Sequence, residues 1–301
     1  MSGTGLERRE AAVVVALRGT ADLPRLTPVE VRAALEDGRD PVDVLRGTDL
    51  VNQLIDVSDE LERAADEIRQ WRASGLDVMF PFTDDYPQPL LQVYDYPPIL
   101  FGRGTHAPDF EAVAIVGSRG AASSSLRLAY EAAERLADQG VTVVSGLARG
   151  IDTAAHRGAL VGSGRTVAVL GQGPGTPIYP KENAPLARAI LDHGGQTLSQ
   201  FWPGSPQTKQ TFPIRNVTMS GLSAVTAIVE ASETSGTRHQ AAAAVRHGRR
   251  LLIHDQVAER TTWGREYLDR GLATSFIDVD TAVSAALELL RAISPAETVF
   301  A

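Results

Sequence analysis

The stretch VVSGLARGIDTAAHRGAL, residues 143–160, places Ser145 and Gly146 at the end of an apolar run. Gly150 follows, and a helical pattern opens at Asp152, which reads as its N-cap. A strand that breaks at a Ser-Gly turn and restarts as a helix can hold a phosphate. Its backbone N–H groups and the helix dipole both favour an anion there. That phosphate belongs to a nucleotide cofactor, a substrate or a nucleic-acid backbone, and the spacing leaves the three open.

Comparable chemistry recurs along the chain. Gly117-Ser118-Arg119 follows another apolar run, and Arg119 can grip a phosphate with its forked donors. Arg149 lies inside the opening stretch itself. The segment GQGPGTPIYPKEN, residues 171–183, is glycine-rich and carries Tyr179 for stacking, Lys181 for charge and Asn183. TFPIRN, residues 211–216, adds Phe212, Arg215 and Asn216, and Ser235-Gly236-Thr237 opens one more helical stretch. Each Gly-Ser loop taken singly also reads as a plain tight turn. Five at the ends of successive strands, with Arg119, Arg149, Lys181 and Arg215 among them, point to a polyanion track or a nucleotide pocket. No G-x-G-x-x-G fingerprint and no G-x-x-x-x-G-K-[ST] loop occurs. Asp152 and His156 share a helix face, which reads as a cap with a packed histidine because no third ligand has fitting spacing. Glu230 either orients a ribose or an arginine, or is a buried ion-pair partner. No Ser-His-Asp arrangement is recognisable.

The elements that must position these residues follow from hydrophobic periodicity. AVAIVG, VTVVSG, TVAVLG, AVTAIVE and RLLIHD are apolar runs of strand length, separated by helical stretches. Unalternating apolar strands are covered on both faces, so residues 111–278 predict a mostly parallel, doubly wound, Rossmann-like α/β sheet. Such sheets bind ligands outside the carboxyl ends of their strands. Residues 1–79 predict a small helical domain. Thr27-Pro28-Val29-Glu30 supplies a capping box, and SDELERAADEIRQWRASG gives an amphipathic helix with Leu61, Ala64, Ile68 and Trp71 on one face. Residues 80–110 form a connecting segment whose Pro- and aromatic-rich part, residues 80–104, reads as extended and packed on its neighbours. Residues 279–301 are expected to be a C-terminal helix and tail.

The bulk numbers set limits. Of 301 residues, 43% are hydrophobic and 22% charged, which is globular composition. Cysteine is absent, so there is no thiolate nucleophile, thiolate metal site or disulfide framework. The N-terminus has no apolar leader and no stretch reaches membrane-spanning length, so a cytoplasmic protein without a membrane partner is expected. The net charge of −8 argues against a general basic footprint, yet binding depends on local patches. Among 29 basic residues only Lys181 and Lys209 are lysines, both in loops rich in Gly and Pro.

The ordered set SGLARGIDTAAHRGAL, TVAVLGQG…IYPKEN, FPIRN and SGLSAVTAIVEAS…SG resembles the DNA-processing protein A (DprA, or Smf) family over roughly residues 80–275. That resemblance implies an extended Rossmann-like domain behind a small helical one, and no cofactor. It implies a non-catalytic homodimer that binds single-stranded DNA, protects it and helps to load RecA in natural transformation. The DNA-contacting residues it implies are Ser118, Arg119, Ser145, Gly146, Arg149 and Lys181, with Phe212, Arg215 and Asn216 beside them. Gly117, Gly150, Tyr179, Asn183, Ser235 and Gly236 complete the candidate set from the loops themselves. The chain departs from the family's pattern at Gln200, at Val217, at His254-Asp255-Gln256 and at Thr237. A nucleotide-binding sensor or a LOG-like nucleotide phosphoribohydrolase is the rival reading. The latter's P-G-G-x-G-T-x-x-E is not matched, since no Glu stands three residues past the threonine in GPGTPIYPKE or SGTRHQ.

Overall fold

A computed structural model describes residues 3–162 and 164–293, so the expected tail beyond residue 293 lies outside the described residues. The chain divides into two compact units, residues 1–86 with 95–102, and residues 87–94 with 103–301.

The first unit carries helices α1 (Gly3–Arg18), α2 (Pro28–Glu36), α3 (Pro41–Arg46), α4 (Leu50–Gln53) and α5 (Ser58–Ala73), followed by strand β1 (Asp77–Met79). Helix α2 starts as its sequence dictates. The Thr27 hydroxyl accepts from the Glu30 N–H at 3.3 Å, and the Glu30 carboxylate accepts from the Thr27 N–H at 2.7 Å. Helix α5 buries Ala64 and Ile68, and Gly75 turns the chain out with φ of 74°. The segment expected to be extended is interrupted by a 3₁₀ turn at Gln88–Gln92 and is extended again at residues 100–104. These form strand β2 (Leu100–Gly104), whose first three residues pair antiparallel with β1. Tyr86 and Phe101 are fully buried, and the Tyr86 hydroxyl donates to the Pro97 carbonyl at 2.7 Å.

The second unit is the expected α/β body. Its elements are β3 (Ala112–Gly117), α6 (Ser123–Asp138), β4 (Thr142–Ser145), α7 (Ile151–Val161), β5 (Thr166–Val169), α8 (Ala184–Asp192), β6 (Gln196–Ser199), α9 (Thr211–Leu222), β7 (Val225–Glu230), α10 (Thr237–Arg246), β8 (Arg250–His254), α11 (Asp255–Arg260), α12 (Thr262–Asp269), β9 (Thr274–Phe276) and α13 (Val279–Ile293). Strands β3 to β9 are parallel neighbours in the order β6-β5-β4-β3-β7-β8-β9. The five apolar runs become β3, β4, β5, β7 and β8. Strands β6 (QTLS) and β9 (TSF) escape a reading by apolar runs because they are polar and short. Gln196 and Ser199 are nonetheless buried, so tertiary position overrides their polarity. The chain runs outward from β3 through β4, β5 and β6, then returns to β7 on the other side. The strand order therefore reverses between β3 and β7, and there the loops diverge and leave a crevice.

Helices α6 and α7 pack on the β3–β4 face, with Ala129, Ala133, Ala155 and Ala159 in one apolar cluster. Small residues let the two helices approach closely. Gly158 is the limiting case, because a Cβ there would run into the Tyr130 carbonyl. Gly158→Ala gains about 1 kcal/mol of helix propensity. It also forces backbone against backbone, and overpacking costs about 1–3 kcal/mol. The clash is expected to win, with a lower urea midpoint at unchanged m-value. An unchanged or higher midpoint would show that the helices can part at no cost.

Candidate nucleic-acid interface

The reversal point places the β3 and β7 loops side by side. Ser118 N–H donates to the Glu230 carbonyl at 2.8 Å, and the Glu230 carboxylate accepts from Ala122 N–H at 3.0 Å. Glu230 thus braces the Gly117–Ala122 loop, a role that neither reading of its position had given it. Gly117 is required because a Cβ would meet Ile151 at 2.6 Å and the Glu230 carbonyl at 2.9 Å. Gly150 has φ of 75° and lies against the Ser118 carbonyl, so both a left-handed turn and a close approach demand glycine.

The loop after β4 is organised from within. Asp152 does not cap α7, which begins at Ile151 with Gly150 in the capping position. Its carboxylate instead accepts from Gly146 N–H at 3.1 Å and Ala148 N–H at 3.3 Å. The Ser145 hydroxyl is fully buried and donates to the Ile115 carbonyl at 2.7 Å. Asn183 is buried too, its amide donating to the Leu147 carbonyl and the Thr153 hydroxyl, each at 2.8 Å. Leu147 holds φ of 57° under this brace. The Arg215 guanidinium of α9 occupies the space that a Gly146 side chain would need, and its Nη1 donates to the Val169 carbonyl at 3.0 Å.

Burial dominates the electrostatics beneath the loop. It pushes the Asp152 carboxyl up and the Arg215 guanidinium down, and in each case their mutual attraction opposes the shift. His156 is neutral. Burial first, then the neighbouring Arg215 charge, lowers it to about 3. The Thr166 hydroxyl donates to the Val143 carbonyl at 2.7 Å, so at 2.7 Å from His156 Nδ1 it accepts that ring proton. This is a packed histidine, as its spacing implied. Among the described residues no group of three or more His, Asp or Glu side chains is placed to hold a metal.

Above this base lie two clefts at the carboxyl ends of the strands. The larger, about 500 Å³, is lined by Gly117, Ser118, Arg119, Phe212, Arg215, Asn216, Ser235 and Gly236 from the predicted set. The smaller, about 240 Å³, is lined by Arg119, Gly146, Arg149, Tyr179 and Phe212. Arg119 and Phe212 belong to both walls, and the guanidinium sits 4.4 Å from the ring centroid. Tyr179 is 55% exposed, and the peptide bond to Pro180 is cis. Arg149 is exposed and ion-paired with Glu182. Ser145, Gly150, Lys181 and Asn183 line neither cleft. Lys181 stands exposed at the start of a single 3₁₀ turn, Lys181–Asn183. Lys209, Gln207, Ser232 and Gln240 line the clefts and were missing from the candidate set. Lys209 carried a signal, as one of two lysines in an arginine-rich chain. Gln240 carried none, because it lies in an alanine-rich helical run.

A doubly wound α/β domain with a cation-edged crevice at its reversal point is the architecture in which open α/β sheets take their ligands. Comparison with known proteins places it further. A profile of the DNA recombination-mediator protein A family matches residues 77–286, and the chain belongs to that family. Protein Smf of Escherichia coli (strain K12) is 42% identical over 168 residues, 56% of this chain and 45% of that protein. DNA processing protein DprA of Bacillus subtilis (strain 168) is 30% identical over 212 residues, 70% of each chain. The chain spans 45% of the E. coli relative and 60% of the matching Streptococcus pneumoniae DprA. The X-ray structure of S. pneumoniae DprA has the same fold, with a TM-score of 0.65 at 24% identity over 93% of this chain and 95% of that one. DNA processing protein A from Helicobacter pylori, studied for its single-stranded DNA binding mode, gives 0.61 at 24% over 71% and 96%.

The buried histidine makes stability depend on pH. An unfolded histidine takes its proton near pH 6.5, the folded one only near 3. Between those values the unfolded chain binds more protons, so stability is lost as pH falls through that window. The full slope for one group is about 1.4 kcal/mol per pH unit. The stability of wild type relative to His156→Leu should therefore fall by about 2 kcal/mol from pH 7 to pH 5, read by urea denaturation. A constant difference would mean that the folded protein protonates His156 freely.

Proposed function

We propose that this protein binds single-stranded DNA along the two clefts at the carboxyl ends of its sheet, as a non-catalytic mediator of recombination. The observation that carries this reading is the wall shared by the clefts. There Arg119 lies over Phe212, with Lys209 on one side and Arg149 and Tyr179 on the other. Single strands are held by cations that follow the backbone and by aromatic faces on which bases stack. An acidic chain can do this by setting a few cations on one rim. Lys181, exposed just past Tyr179, extends the rim in sequence. Hand-over of the strand to RecA, two copies of the chain acting together and a place in the cytoplasm belong to the same reading, and the family's designation as recombination mediator supports the hand-over.

The test is anisotropy with a fluorescent oligonucleotide across a salt series. Arg119→Ala and Lys209→Ala should weaken binding to all sequences, and each phosphate no longer neutralised should flatten the log–log salt slope by about 0.7. Phe212→Ala should cost about 1–3 kcal/mol for each base it stacks. Lys181→Ala should have the smaller effect, since Lys181 lines neither cleft. If wild type fails to bind at low salt, or binds only mononucleotides, the single-strand reading falls and a nucleotide sensor replaces it.

A further inference from the structure

Beyond the larger cleft the surface carries charge that the clefts do not use. Residues 193–254 hold six lysine and arginine side chains and only two acidic ones, Glu230 and Glu233, in a chain whose net charge is −8. Both acids are already engaged. Glu230 accepts from the Ala122 N–H, and Glu233 accepts from the Thr262 N–H and hydroxyl. Neither α9 nor α10 contains an acidic residue. The Ser235–Thr237 turn lines the larger cleft and leads straight into α10, where Arg238, His239 and Arg246 are exposed. At 3.6 residues per turn these three and Ala242 fall within about 100° of the helix circumference. Ala241, Ala243 and Ala244 are buried on the other side. The outer face of α10 is thus a cationic strip with a small residue at its middle. The helix end itself offers little to an anion. Its first amides are committed, Thr237 to the Ser235 hydroxyl and Arg238 and His239 to backbone carbonyls.

We infer that a bound single strand leaves the larger cleft over the Ser235–Thr237 turn and continues along the outer face of α10. There Arg238 and Arg246 each hold a backbone phosphate, and His239 donates beside them. The inference rests on the single-strand reading and extends it from the clefts to a track. Side chains on a helix lean toward its N-terminus, so Arg238 leans back toward the cleft mouth and meets the strand first. Arg246 lies eight residues on, about 12 Å along the axis. Cations so spaced along a face serve a polymer rather than a mononucleotide. Guanidinium groups pair with phosphate oxygens through forked donors, and Ala242 between them leaves room for the sugar-phosphate chain. Arg249 takes no part, since its guanidinium donates to the Pro89 and Gly221 carbonyls and to the Gln92 side chain. An acidic protein would meet the same charges, but the strip opens directly from the cleft, and that continuity favours the strand.

The test is anisotropy of the full chain with thymidine oligonucleotides from about 5 to about 20 nucleotides long. Wild-type affinity should rise with length beyond the shortest strand. Arg238→Ala/Arg246→Ala should bind the shortest strand as wild type does. On the longest it should bind about 10-fold more weakly at about 0.1 M salt, with a log–log salt slope flatter by about 1.4. Alanine is the strongest helix former, so α10 is kept. Arg238→Lys/Arg246→Lys should restore the wild-type slope, because lysine still neutralises a phosphate as a point charge. Arg157→Ala/Arg188→Ala removes the same charge from exposed positions on α7 and α8 that line neither cleft, and should bind every length as wild type does. The inference is overturned if the α10 variant loses nothing on the long strand, if it loses equally on every length, or if the α7 and α8 variant loses as much. If wild type binds no strand of any length, the single-strand reading has failed, and the track fails with it.

Discussion

The Arg215 guanidinium lies where Gly146 has no side chain, and the loops around the crevice are arranged by that contact. It ties α9 to the end of β5 through the Val169 carbonyl. It also sets a positive charge beneath the β4 loop, beside Asp152. Asp152 in turn fixes the amides of Gly146 and Ala148. A buried charge of either sign is costly alone, and the two are tolerated because each lowers the other's penalty. Any side chain at residue 146 would expel the guanidinium and leave Asp152 buried without its neighbour. The glycine in the Ser-Gly turn therefore serves an arginine of the protein itself.

This arrangement leaves a different layer of side chains facing outward. Ser145 and the Gly146 amide are already bonded internally, and Asn183 holds the same loop from the other side. The groups left to face outward are Arg119, Phe212, Tyr179, Arg149 and Lys209, all on loops or loop-proximal turns. A rigid inner layer that positions an outer layer of loop side chains is how open α/β sheets present functional groups. Arg149 is engaged with Glu182, and both side chains are exposed.

Three of the positions that depart from the family's pattern, His254, Gln200 and Thr237, have been absorbed into structure. His254 caps α11, its Nδ1 accepting from Gln256 N–H at 3.2 Å, while its Nε2 proton goes to the Ile277 carbonyl at 3.2 Å. The Gln200 side chain accepts from the Thr218 hydroxyl, which joins the loop after β6 to α9. Thr237 bonds the Ser235 hydroxyl at the start of α10. Nothing in the structure explains Val217.

The sequence by itself determined the order of the elements and the edge of the sheet on which chemistry would gather. Runs such as AVAIVG and VTVVSG have no alternation, which fits strands covered on both faces, and open α/β sheets place their ligands at the carboxyl ends of such strands. Local chemistry was legible at the Thr27–Glu30 box, whose partners lie three residues apart, whereas the cap expected at Asp152 was not formed, because its carboxylate is held by the Gly146 and Ala148 amides. Polar strands such as QTLS were not legible as apolar runs, because burial there comes from position in the sheet. The division of the candidate residues into inner braces and outer contacts was decided only by the tertiary structure. Ser145, Asn183 and Arg215 have the residue types of phosphate ligands, and what makes them braces are partners 30 to 46 residues away: Ile115, Leu147 and Val169. Gln240 is the converse case, ordinary in its helix and brought to the wall of the larger cleft only by the fold.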